Sequence, residues 1–135
     1  MAGKIKRVTS PEVPEPPPET WSNCLVVGEQ VWIAGMVSGY ADGVIAGGED
    51  EYRQSKLIFA KIRHLMTAAG GAMADIVKIT VFVTDIRRRE EVWRARAEFF
   101  TGDFPTSTLV EVSALARPGL KVEIEAVGVI GASKA

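Results

Sequence analysis

Two glutamates, Glu123 and Glu125, stand two residues apart in the stretch KVEIEAVGVI, alternating with Val122, Ile124 and Ala126. In an extended strand that spacing puts both carboxylates on one sheet face. From the residues alone, an exposed or edge-facing pair is the plain reading. Few other groups in the chain can do chemistry. The single histidine, His64, falls inside a helical pattern, and the single cysteine, Cys24, precedes Leu25-Val26-Val27 in a strand-like run. That leaves no Ser–His or Cys–His pair for a nucleophile, and Cys24 reads as a small buried hydrophobe. In DFPTSTLVEV, Ser107 and Thr108 are hydroxyls at the start of a strand, with no charge, histidine or cysteine between Asp103 and Glu111. Turn hydrogen bonding is the ordinary role for such residues.

Composition narrows the classes further. The chain has 135 residues, is 47% hydrophobic and 24% charged, and carries a net charge of −1. That is one soluble globular domain with a sizeable core. Apart from Arg87-Arg88-Arg89 the basic residues are scattered, so the basic stripe that nucleic-acid binding requires is missing. One cysteine excludes an internal disulfide and a cysteine-based metal cluster. No apolar run approaches transmembrane length, and the N-terminus has no hydrophobic signal region. The expected location is cytoplasmic.

The elements that must position these residues follow from periodicity. Five of the seven prolines lie in the first eighteen residues, which predicts an extended arm over 1–20, docked or loose. The folded domain is expected over 21–131, with a short tail at 132–135. CLVVGEQVWIAGMV reads as two strands joined by Gly28-Glu29-Gln30. SGYADGVIAGGED, with Asp42-Gly43, reads as a loop or small ribbon. From Asp50 the pattern turns helical: Ser55, Ile58, Ile62, Leu65, Met66 and Ala69 form one stripe with Phe59 beside it, and Gly70-Gly71 ends it. DIVKITVFVTD is a strand with Val77, Ile79, Val81 and Val83 on one face and Thr80 and Phe82 on the other. Asp85 is the expected cap of a second helix carrying Val92, Trp93, Arg96, Phe99 and Phe100. STLVEVSAL and KVEIEAVGVI are the last strands, joined through Arg117-Pro118-Gly119.

The order β-β-α-β-α-β-β predicts a two-layer α+β domain with both helices on one sheet face. Trp32, Ala34, Met36, Phe82 and Leu109 are assigned to the other face, too apolar a set to leave in water. A second or third copy of the chain is the simplest cover. Trp21 and Trp93 suit core or interface packing as well as ligand stacking. Gly35 lets the backbone come close to a partner or ligand.

The motifs VGEQVWIAGM, YRQSKLIFAKIRHLMTAAGGAMADIVKITVFVTDI, AEFF, FPTSTLVEVSAL and KVEIEAVGV, in that order, resemble the Rid family of reactive-intermediate deaminases, also called YjgF-type or L-PSP endoribonuclease-like proteins. The resemblance runs from Trp21 to Ile130. It implies a chorismate-mutase-like fold assembled as a homotrimer around a central barrel, with small-molecule clefts between subunits. It also implies hydrolysis of short-lived enamines and imines to a 2-keto acid and ammonia, with no metal or organic cofactor. In deaminating members a cleft arginine holds the substrate carboxylate and a glutamate positions water.

Carried over residue by residue, the pattern is partly kept. Glu123 matches the glutamate, and Glu125 is then structural. The arginine of P-x-R-(S/T)-x-V-E-V is Ser107 here, beside Thr108, and a serine cannot replace a planar, charged, bidentate fork. Trp93 replaces an asparagine, Trp21 aligns with a tyrosine and Leu109 with a cysteine. Position makes Ser107 a cleft residue. Arg117, otherwise a surface turn residue, is the first candidate for a displaced carboxylate anchor, with Arg94 and Arg96 next. Three functions follow: a Rid-type hydrolase with altered 2-imino-acid activity, a ligand-binding trimer without chemistry, and, last, a ribonuclease.

Overall fold

The computed structural model describes residues 4–39 and 44–134; the Asp42-Gly43 turn expected from the sequence lies outside them. The elements are β1 (Ile5–Arg7), β2 (Cys24–Val27), β3 (Gln30–Met36), α1 (Glu51–Ala68), β4 (Ile76–Val83), α2 (Arg89–Arg96), β5 (Thr106–Glu111) and β6 (Val122–Val129). They form one six-stranded sheet in the order β1-β2-β3-β6-β4-β5. β5 runs parallel to β4, whereas β4 and β3 both pair with β6 antiparallel. The expected α+β class is what the chain adopts.

Helix α1 begins where Asp50 caps it, the carboxylate accepting from the Arg53 amide at 3.1 Å. It ends before Gly70, which takes a φ of +94° that other residues adopt only with strain. Its stripe of Ser55, Ile58, Phe59, Ile62, Leu65 and Met66 is buried and packs with Val31, Ile33, Ile79, Val81, Val122 and Ile124 of the strands in one core. Phe59 sits between Phe99 and Phe100, with ring centroids at 5.4 and 5.9 Å. Burying each such side chain contributes about 1.5–3 kcal/mol. Gln54, fully buried on the same helix, donates to the carbonyls of Gly48 and Gly119 and accepts from the Lys121 amide. One amide thereby ties the Arg117–Lys121 turn to α1.

Three side-chain placements are corrected, and one strand is added to the expected order. The chain packs from Ile5 onward: β1 pairs with β2 in the register Ile5↔Val27, and Val8 and Val13 are buried. A three-residue strand is too short to show a period of two, so the extra leading strand was invisible. Val77 is exposed because the register slips between Ile76 and Lys78, and Ile76 takes the inward place. A second slip between Ile33 and Met36 turns Met36 into the core. Leu109 pairs with Val81 and so faces the helices rather than the open side. Trp32, half exposed, and Phe82 remain on that open face.

Asp85 caps a 3-10 turn at Ile86–Arg88, accepting from the Arg87 amide at 3.0 Å, and α2 follows it. Val92 and Ala95 anchor α2 inward, while Trp93 stays exposed. At the far end of the sheet Asp75, 2% exposed, accepts from the amides of Ala72, Gly131 and Ser133 and from the Ser133 hydroxyl. Burial alone would raise its pKa, but these donors together bring it down to about 2. The carboxylate clasps the C-terminal turn to the start of β4.

Candidate functional site

Strand β6 alternates as its sequence predicts, and Glu123 and Glu125 pair across β4 with Phe82 and Thr80 on the open face. Glu123 is half-buried. Burial, and then the charge of Glu125, push its pKa above the ordinary carboxylate range. Its carboxylate lies against Gly35, where a Cβ would come within 2.6 Å of Oε1. Within the subunit, the group closest to Gly35 is thus the Glu123 carboxylate. The register slip in β3 opens the strand at this point.

Around Glu123 a cavity of about 460 Å³ is lined by Pro14, Trp21, Gly35, Lys61 and Arg117, among others. The proline segment forms one wall: Asn23 donates to the Pro14 carbonyl at 2.9 Å and accepts from the Trp21 indole at 3.3 Å. Lys61 donates to the carbonyls of Val37 and Gly39 at 2.6 and 2.7 Å. Burial and the nearby Arg117 lower its pKa. Arg117 reaches over Gly39, where a Cβ would lie 2.6 Å from Nη2. Two glycines thus make room for a carboxylate and a guanidinium in one cavity.

Ser107 lies elsewhere. It pairs with Ile79 and faces the helices, whereas Glu123 is on the opposite side of the sheet. Strand parity therefore keeps the two apart within one subunit. Ser107 lines a separate cavity of about 510 Å³ with Trp93, Arg96, Phe104 and Pro105. Arg96 Nη1 donates to Ser107 Oγ at 3.1 Å, and its guanidinium stands 6.0 Å from the Trp93 ring and 5.8 Å from that of Phe104. Thr108 pairs with Thr80 on the open face and lines neither cavity.

The structure thus gathers Trp21, Gly35, Arg117 and Glu123 at one cavity and Trp93 and Ser107 at another. Arg94 is tied to Glu91 at 3.0 Å on the outer side of α2. Sequence reasoning missed Lys61, Asn23 and Phe104. Only Lys61 left a signal, being a cation one position before the buried Ile62 of the α1 stripe. Cys24 is fully buried and its thiol is pushed up to about 11 by desolvation, so it is inert. His64 lines a further cavity with Glu12 and Ser38, which meets the Glu123 cavity only at Lys61.

The single sheet, the paired helices and the glutamate lodged against a glycine define a small α+β protein with candidate site residues on both sheet faces. The family description "Endoribonuclease L-PSP" matches residues 14–130, and the chain belongs to that family, the Rid proteins. It is 27% identical to a human 2-iminobutanoate/2-iminopropanoate deaminase over 133 residues, covering 97% of this chain and 95% of the human one. A RutC family protein of Pyrococcus abyssi is 29% identical over 123 residues, covering 90% and 95%. Among solved structures, a Pseudomonas aeruginosa protein of unknown function superposes with a TM-score of 0.86 at 37% identity, covering 97% and 95%. A Rid family protein of Yersinia pestis does so at 0.86 and 26% identity, covering 94% and 100%.

Proposed function

We propose that this chain is a cofactor-independent hydrolase of a small imine or enamine, working as a cytoplasmic homotrimer. The clefts between subunits would join the Glu123 cavity of one copy to the Ser107 cavity of the next. The observation that carries the reading is Glu123: a half-buried carboxylate of raised pKa, seated against Gly35 in a cavity. Such a group accepts a proton near neutral pH better than an ordinary glutamate. The deaminase names of relatives from humans and Dermatophagoides farinae support the same chemistry.

The step balances without a cofactor. Water oxygen attacks the imine carbon while Glu123 takes one of its protons. Glu123 returns that proton to nitrogen, giving a carbinolamine, and then carries the hydroxyl proton to the same nitrogen, so that the C–N bond breaks and ammonia leaves as the carbonyl forms. The open sheet face, with Trp32 and Val110 exposed and Phe82 beside them, supports a cover made of further copies. Because sheet parity separates Ser107 from Glu123, only a neighbouring copy can bring both to one ligand.

A second reading, a ligand-binding trimer without turnover, is favoured by Ser107 standing where the family pattern has its arginine. A ribonuclease ranks last: His64 faces neither site cavity.

The test is ammonia release from 2-iminopropanoate generated in situ, comparing wild type with Glu123→Gln. Hydrolysis that Glu123→Gln abolishes supports the hydrolase. Wild-type protein that binds 2-oxobutanoate but releases no ammonia above background supports the binding trimer instead.

A further inference from the structure

The cavity beside Ser107 is lined by Ile86, Arg89, Trp93, Arg96, Phe104, Pro105, Ser107 and Leu109. Two of these are arginines and none is an acid, in a chain whose net charge is −1. Arg89 and Arg96 stand 5.9 and 6.0 Å from the same Trp93 ring. Arg96 is partly buried, and desolvation lowers its pKa with no carboxylate opposing the shift. Its Nε is buried with no hydrogen-bond partner among the described residues. A guanidinium removed from water without an acid is costly, and an anion arriving beside it offsets that cost.

We propose that Arg96, reaching from α2, grips the carboxylate of the ligand beside Ser107, with Trp93 and Phe104 holding an apolar body next to it. The ligand class is a small monocarboxylate with an apolar group. The inference rests on the cleft proposed above and supplies the anion grip that Ser107 cannot. Ser107 is then a positioning residue: its hydroxyl accepts from Nη1 and fixes the guanidinium plane. Arg117, the other candidate, stands across the sheet in the Glu123 cavity beside Lys61, whose ammonium is occupied by two carbonyls.

The test is calorimetric titration of the full-length protein with 2-oxobutanoate and with its uncharged methyl ester. Wild type is expected to bind the acid and to discriminate against the ester by about tenfold or more. Arg96→Gln should erase that discrimination, Arg96→Lys should restore part of it, and Arg94→Gln, at an arginine tied to Glu91 and lining neither cavity, should leave it in place. An unchanged Kd in Arg96→Gln, or equal binding of acid and ester by wild type, overturns the assignment. So does the absence of any 2-oxobutanoate binding. Imine hydrolysis is followed in parallel. Turnover that persists in Arg96→Gln at unchanged KM removes Arg96 alone. Arg96-dependent binding without Glu123-dependent turnover removes the hydrolase alone.

Discussion

Glu123 Oε1 occupies the space that a side chain at Gly35 would need, since a Cβ there would lie 2.6 Å away. The atom in the way is the end of a flexible side chain, so Gly35→Ala is resolved by moving the carboxylate rather than the backbone. The expected outcome is a thermal midpoint within a few degrees of wild type and imine hydrolysis lowered by about tenfold to a hundredfold, as for a misplaced catalytic group. Equal activity in Gly35→Ala would show that the position of Glu123 is irrelevant to turnover.

If the chain is the hydrolase proposed above, Glu123 also sets its pH dependence. Its pKa is raised by burial and by Glu125, so the acidic limb of kcat/KM should lie above the ordinary glutamate range. Glu125→Gln removes one of the two causes and should move the limb to lower pH, with less change in the plateau. A limb unmoved by Glu125→Gln would assign the titration to another group.

The same shift bears on stability. A carboxylate whose folded pKa is raised favours the folded state while protonated, and that contribution is lost as pH rises through the folded value. Above the folded value the ionised Glu123 therefore weakens the fold. Glu123→Gln should raise the thermal midpoint at pH 7 and change it little at pH 4 while abolishing turnover. Equal midpoints at both pH values would remove the linkage.

How much of this was legible beforehand depends on whether the cause was local. The α1 stripe from Ser55 to Met66 and the alternation of Val122, Ile124 and Ala126 are local patterns, and both elements form where those patterns lie. The slips at Ile33/Met36 and Ile76/Lys78 are not local, because the partner strand β6 sets them. For that reason strand alternation alone places Met36 and Val77 on the wrong faces. Glu123 and Gly35 could each be picked out in the sequence, but their contact required the β3–β6 pairing. Arg96 meeting Ser107 depends on the parallel β4–β5 crossing, which returns the chain beneath α2.

Asp75 behaves in the opposite sense to Glu123. Its pKa is lowered from 3.8 to about 2. A depressed carboxylate contributes stability that is present above its unfolded pKa and lost as pH falls through the folded one. Asp75 therefore contributes on the order of 2 kcal/mol at neutral pH, which disappears between about pH 4 and pH 2. Asp75→Ala, which leaves its buried donors unpaired, should cost about 2–4 kcal/mol at pH 7 and progressively less below pH 4. Chemical denaturation at the two pH values measures both. A cost that does not fall with pH would mean that the hydrogen bonds do not depend on the charge.

Position 107 carries a further prediction, because the family resemblance implies an arginine there. Ser107→Arg alone would set a second guanidinium where Arg96 Nη1 now lies, 3.1 Å from the Ser107 hydroxyl. Like charges at such range in a partly desolvated cavity repel, so the single variant should lose thermal stability and gain no deaminase activity. Pairing it with Arg96→Ser removes the repulsion and returns one guanidinium to the strand. The double variant should regain the stability lost by Ser107→Arg and hydrolyse 2-iminopropanoate faster than Arg96→Ser alone. The coupling between the two changes, read from the full double-mutant cycle, should be favourable and larger than additivity allows. Additive effects would show that the two positions do not share one anion.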